Sequence, residues 1–281
     1  MSISAADVKK LRDQTGAGMM DCKKALSEAE GDFEKAIENL RKKGQKLSAK
    51  RADRETKEGV VIAKTSHNKN NGVVVRLSCE TDFVSKGDSF VALADSFAEI
   101  ALKNLPADTA ALLALPYADG MSVAEKVEEQ TGVIGEKLEI SDYAKIETAA
   151  GEGQVLPYIH MGHKAGVIVA LNLEGPQFEE AGKNVAMQVA AMRPIALNKD
   201  GVDSSIVEKE IEIGMELARK EGKPEAMLDK IAQGKLNKFF KENTLLDQIY
   251  VKATSKESVQ GYLTAIDPKL TVTAFKHIKL G

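Results

Sequence analysis

The sequence predicts an α+β protein made of an N-terminal three-helix bundle, two duplicated α+β core subdomains and an inserted antiparallel helical hairpin. Three observations predict it. The first forty-odd residues show helical periodicity broken by glycines, one framework occurs twice along the chain, and a long amphipathic stretch with a Gly-Lys-Pro break interrupts the second copy.

Residues 1–43 read as the three-helix module. Ser4 with Asp7 three residues on starts the first helix, Val8 and Leu11 form its inner face, and Thr15 to Gly18 stops it. Met19, Cys22, Leu26 and Ala29 then recur at helical spacing as far as Gly31. Asp32 caps a third helix carrying Phe33, Ala36, Ile37 and Leu40. So small a core leaves two readings for Met19 and Met20, core filler or surplus apolar surface for docking.

Residues 44–58 are expected to form a basic linker. From Arg41 to Glu58 there are eight Lys or Arg against three acids and no clear apolar period, the pattern of a linker or a solvated helix. The same basic 41–57 segment supports an alternative function, nucleic-acid binding, although it lacks aromatic side chains on which bases stack.

The repeat organises the rest. Val61 to Ala98 overlays Val155 to Met192 without a gap, which places Gly72 on Gly166, Val73 on Val167, Val75 on Val169, Leu77 on Leu171 and Glu80 on Glu174. Each copy predicts a β-hairpin, an Ala-rich helix, a short helix and a third strand. In the first copy the short helix falls near Ser122 to Thr131 and the strand over Lys137 to Ile146. In the second they fall near Ser258 to Ile266 and over Leu270 to Leu280. Residues 59–150 form one subdomain, and residues 151–200 with 244–281 the other.

Residues 201–243 interrupt the second copy. Ile206, Ile213 and Leu217, with Val207, Ile211 and Ala218, define an apolar stripe. The break at Gly222 to Pro224 and the resumed pattern at Leu228, Ile231, Ala232, Leu236 and Phe239 then predict a coiled-coil-like hairpin.

The copies diverge at one loop. The first reads CETDFVSKGD where the second reads LEGPQFEEAG, so Thr81, Asp82 and Phe83 have Gly175, Pro176 and Gln177 opposite them. An aromatic ring in so polar a turn is either a finger for a partner or, with Val84, a staple between helix and sheet.

Composition excludes several classes. The net charge of −3 offers no overall field for nucleic acid or an anionic membrane. With 43% hydrophobic and 29% charged residues the chain is expected to fold. The longest purely apolar run, Ala110 to Leu115, is far short of the roughly 18 residues of a membrane span, and the start resembles no secretory signal, so a cytoplasmic location is expected. Cys22 and Cys79 lack a CxxC spacing and are expected to be free buried thiols. The chain has no GxxxxGK[ST] loop, no GxGxxG and no GxSxG, and His160 with His163 lacks companions for a metal. No enzymatic activity, cofactor or metal is expected.

The string LRDQTGAGMMDCKKALSEAEGDFEKAIENLRKKG, the TDFV at Thr81 to Val84, the duplicated core and the hairpin together resemble the bacterial translation elongation factor Ts family. That resemblance implies a guanine nucleotide exchange factor whose partner is the GTPase elongation factor Tu, with no direct nucleic acid or membrane contact and with room for a homodimer of the complex. By the same resemblance the N-terminal module is similar to ubiquitin-associated domains and docks through Arg12, Met19 and Met20. Thr81, Asp82, Phe83 and Val84 would wedge near the partner's Mg²⁺ and dislodge it. One departure is Gln188, where some relatives carry histidine.

Overall fold

The computed structural model describes residues 3–118 and 120–281; the first two residues of the N-terminal module and Asp119 of the first core unit lie outside the described residues. The described residues form a mixed α+β structure with 11 α-helices and two three-stranded antiparallel sheets.

Helix α1 (Ala5–Thr15) opens with a reciprocal cap. The Ser4 hydroxyl accepts from the Asp7 N–H, and the Asp7 carboxylate accepts from the Ser4 N–H, each at 3.2 Å. Two donors that a helix start leaves unpaired are thereby satisfied. Helices α2 (Met19–Glu28) and α3 (Phe33–Lys50) complete the bundle around Val8, Leu11, Cys22, Leu26 and Ala36.

The third helix continues to Lys50, so the basic stretch after residue 43 begins as helix, and that helix is packed. Gly44 is buried against α7 (Val123–Ile134), and a Cβ on Gly132 would stand 2.5 Å from the Gly44 Cα. The two helices meet backbone to backbone. Val133 of α7 packs on the bundle core beside it, but two facing glycines carry no apolar signal, so periodicity does not reveal the crossing.

The first sheet has the order β1 (Glu58–Thr65), β2 (Asn71–Cys79), β3 (Glu139–Glu147). The second has β4 (Gln154–Ile159), β5 (Ala165–Leu171), β6 (Val272–Lys279) in the same relation. The register shifts at Arg76/Leu77 in one sheet and at Ala170/Leu171 in the other, which are matching positions of the two copies. Helix α5 (Asp88–Asn104) covers the first sheet and α8 (Glu179–Met192) the second.

The free faces of the two sheets pack on each other, giving four layers. Val60, Ile62, Val73, Val75 and Leu77 face α5, whereas Val61, Ala63 and Val74 meet Val155, Ile168 and Ala170 across the sandwich. Strand side chains alternate faces, and both faces of β1, β2 and β5 are apolar because both are covered. The approach is close where glycine permits it. A Cβ on Gly72 would lie 2.5 Å from Val155 Cγ1, and one on Gly166 would lie 2.8 Å from Val61 Cγ1.

In the inserted hairpin, α9 (Ser204–Lys220) turns at Gly222 into α10 (Glu225–Asn243). The turn is clamped by Arg219, whose Nε and Nη2 donate to the two oxygens of Glu225 at 3.0 and 3.3 Å. The buried seam is Gly214 and Ala218 on α9 against Leu228, Ala232 and Leu236 on α10. The expected α9 stripe is only partly buried, since Ile206, Ile213 and Leu217 are exposed. Small residues let the helices approach, and the larger ones are displaced to the flank.

Candidate interaction site

The loop after β2 is built from its base upward. Glu136, just beyond the left-handed Gly135 that ends α7, accepts from the N–H groups of Glu80 and Thr81 at 3.1 and 2.9 Å and from the Thr81 hydroxyl at 2.5 Å. Glu80 in turn accepts from the Lys137 N–H at 2.7 Å and from Arg51 Nη1 at 2.6 Å. The Lys137 N–H and then Arg51 hold the Glu80 carboxyl below its ordinary range. Below them the Cys79 thiol donates to the Thr81 carbonyl at 3.2 Å, and burial pushes this thiol up to about 12.

On this base stands α4 (Asp82–Ser85), a single turn. Asp82 accepts from Lys86 Nζ at 2.6 Å, and that bond lowers its pKa from the ordinary carboxylate value. Val84 packs on the α5 core, while Phe83 is 88% exposed. The two readings of the loop thus divide between adjacent residues: Val84 staples and Phe83 projects. The second copy makes the same division. Phe178, opposite Val84 in the repeat, is buried, and the position opposite Phe83 is the exposed Gln177. The anchor belongs to the repeat, and the projecting ring belongs to the first copy alone.

A second element, not singled out as an interaction surface from the sequence, lies alongside. The β4–β5 turn brings Gly162, His163 and Lys164 to one cleft with Asp82, Ser85 and Lys86, and it carries Met161, which is 86% exposed. The Gly162 turn in the sequence was a signal, but only for a hairpin; its placement beside α4 arises from the stacking of the two sheets. His160 Nδ1 lies 3.0 Å from the Tyr158 hydroxyl. Among the described residues no group of three or more His, Cys, Asp or Glu could hold a metal ion.

Arg12, Met19 and Met20 flank the Gly16–Gly18 turn of the bundle, and all three are exposed. Met20 is 75% exposed, so it does not fill the core. Gln188 faces inward on α8. Its amide donates to Gln248 Oε1 at 3.2 Å and to the Ile249 carbonyl at 3.1 Å, and it accepts from the Val251 N–H at 2.8 Å. In the basic stretch Lys42, Lys43, Arg51 and Lys57 are paired with Glu38, Asp21, Glu80 and Glu55. Among the described residues no helix is long and apolar enough to cross a membrane.

Comparison with known proteins places this geometry in a lineage. A family model described as Elongation factor TS matches residues 80–281. Over 279 residues the chain is 53% identical to a protein of Christiangramia forsetii named elongation factor Ts, covering 99% of each chain. It is 55% identical over 280 residues to the protein of that name from Cytophaga hutchinsonii, with 99% of each covered. With the one from Flavobacterium psychrophilum it shares 52% over 280 residues, covering 100% of this chain and 99% of the other.

Proposed function

The chain belongs to the elongation factor Ts family, and from that premise we propose that it is a guanine nucleotide exchange factor for the GTPase elongation factor Tu, acting in translation elongation through the Thr81–Val84 loop. GDP and Mg²⁺ hold each other in such a GTPase, because the ion bridges phosphate oxygens and protein groups. Phe83, inserted between the elements that carry the ion's ligands, displaces them, and both ion and nucleotide loosen. Asp82 redirects hydrogen bonds at the same place. This chain makes and breaks no covalent bond.

The observation that carries the reading is the exposed Phe83 on a base fixed by Glu136. Burying such a ring is worth about 1.5–3 kcal/mol, a gain that this protein forgoes and a partner supplies. Because binding free energies are linked, a factor that prefers the empty GTPase lowers GDP affinity by the same ratio, and incoming GTP weakens the factor's hold in turn. Arg12, Met19 and Met20 dock the bundle, which is similar to ubiquitin-associated modules, on the GTPase domain. The second core unit and the hairpin reach other parts of the partner. Four of the eight cations of the 41–57 segment are paired with carboxylates, which weighs against nucleic-acid binding as the main activity.

A substoichiometric amount of the chain, added to elongation factor Tu loaded with fluorescent GDP in excess unlabelled GDP, is expected to release all the label rapidly. Release at the spontaneous rate would refute the proposal.

A further inference from the structure

A second concavity lies at the other side of the β4–β5 turn, where the ends of both sheets meet the end of α8. It has a volume of about 290 Å³ and is lined by Lys57, His160, Lys164, Arg193, His277 and Lys279. Glu58 and Gly281 also line it. We propose that this cleft is a binding site for a phosphoryl anion, taking a diphosphate group either free or at the end of a nucleotide.

Unpaired charge is the first argument. Lys164, Arg193 and Lys279 form no ion pair with a carboxylate among the described residues, whereas Lys64, Lys69 and Arg76 on the neighbouring strands and turn all do. Glu58, the carboxylate side chain in the lining, forms no ion pair with any of the three, and three cations lining one concavity repel one another unless a further counter-charge enters. A single carboxylate would leave most of that charge uncompensated. A diphosphate carries several oxygens and more than one negative charge, and the cleft has room for it.

His277 supplies the second argument. Its Nε2 is buried and has no hydrogen-bond partner among the described residues, an unfavourable state for a polar atom. Burial, then Arg193 and Lys279, hold its pKa below the ordinary imidazole value, so the ring is neutral near pH 7. In the tautomer with hydrogen on Nε2 it is a donor awaiting an acceptor, and a phosphoryl oxygen is one.

Arg193 is the third. It ends α8 in the left-handed conformation, φ 49°, with its N–H on the Val189 carbonyl at 2.9 Å. In the first copy α5 ends the same way at Leu105, φ 46°, but that side chain packs on the core. The gapless repeat sets Glu99, inside α5, opposite Arg193, so the second copy alone ends its helix here and puts a guanidinium at this point. Its planar fork suits phosphoryl oxygens, which it can engage in pairs.

The test uses the full chain alone, so it is independent of any exchange activity. Imidazole resonances of His160 and His277 are followed during titration with inorganic diphosphate at constant ionic strength, with sodium chloride as control and GDP as a competing ligand. We expect saturable shifts of both histidines and at least tenfold weaker binding in Arg193→Ala, with Lys279→Gln as a second variant should the first fail to fold. Competition by GDP would identify a nucleotide as the source of the phosphoryl group; absence of competition would identify the free anion. No saturable shift beyond the chloride control, or unchanged affinity in the folded variants, would overturn the proposal.

Discussion

Glu136 holds Thr81 twice, accepting from its backbone N–H at 2.9 Å and from its hydroxyl at 2.5 Å. The bond is long in sequence and short in space: the residue after α7 fixes the base of α4. Removing the carboxylate in Glu136→Ala leaves the Glu80 and Thr81 donors without their acceptor, at about 1–3 kcal/mol for each donor that water cannot reach. The loop should loosen before the fold does. We expect faster amide hydrogen exchange at residues 80 and 81 and slower nucleotide exchange. About 1.4 kcal/mol of lost transition-state stabilisation would appear as a tenfold lower rate. Unchanged amide protection would contradict this account of the loop.

The sheet sandwich depends on reciprocal glycines. Gly72→Ala places a methyl 2.5 Å from Val155 Cγ1, and Gly166→Ala places one 2.8 Å from Val61 Cγ1. Overpacking of this kind costs about 1–3 kcal/mol. Gly72→Ala combined with Val155→Ala should be more stable than the sum of the single changes predicts, because the second removes the atom that the first strikes. Urea unfolding of the four proteins measures the coupling, and simple additivity would speak against the contact.

The bundle is held to the core at Gly44 and Gly132. Alanine at residue 132 would gain about 1 kcal/mol of helix propensity in isolation, but its methyl would lie 2.5 Å from the Gly44 Cα, an atom that cannot step aside. Separation of α3 from α7 is the expected outcome. It is read as faster proteolysis within residues 41–58 and a larger radius of gyration, and a variant as compact and resistant as the parent would show that the methyl is accommodated without parting the helices.

Most of the secondary structure was legible in the sequence, because caps, glycine stops and the repeat all act locally. Ser4, Asp32, Ser122 and Ser258 each cap the helix expected after them. The third strand of the first unit lies at Glu139–Glu147, close to the expected Lys137 to Ile146. What composition and period could not show is tertiary. Val61 and Val74 look no different from Val60 and Val75 until a second sheet faces them. Gly44 reads as a weak helix residue until another glycine meets it, and Ile206, Ile213 and Leu217 read as a seam until Gly214 takes that place. At the site, the TDFV string singled out the loop, but only the fold separates Val84 from Phe83. Met161 carried no sequence signal at all, since an apolar residue in a hairpin turn is ordinary until the rest of that turn, Gly162 to Lys164, is seen to share a cleft with α4.

Cys79 provides a pH test of the base. Its folded pKa is raised to about 12 by burial, above the ordinary value of 9.0 that the unfolded chain would show. The neutral thiol is favoured in the fold, so its contribution to stability is complete below pH 9 and is lost as pH rises towards 12. Reaction with a disulfide reagent at pH 7–8 should therefore be slow and limited by opening of the structure. Rapid modification of Cys79 in the native protein would contradict the packing described for the loop's base.

The most direct measurement is stopped-flow release of labelled GDP from elongation factor Tu at saturating Phe83→Ala, beside the parent protein. A ring that is 88% exposed contributes little to its own fold, so the variant should unfold within about 0.5 kcal/mol of the parent. GDP release should nevertheless be slower by at least about tenfold, the equivalent of 1.4 kcal/mol. Release at the parental rate by the folded variant would contradict the claim that Phe83 loosens the nucleotide.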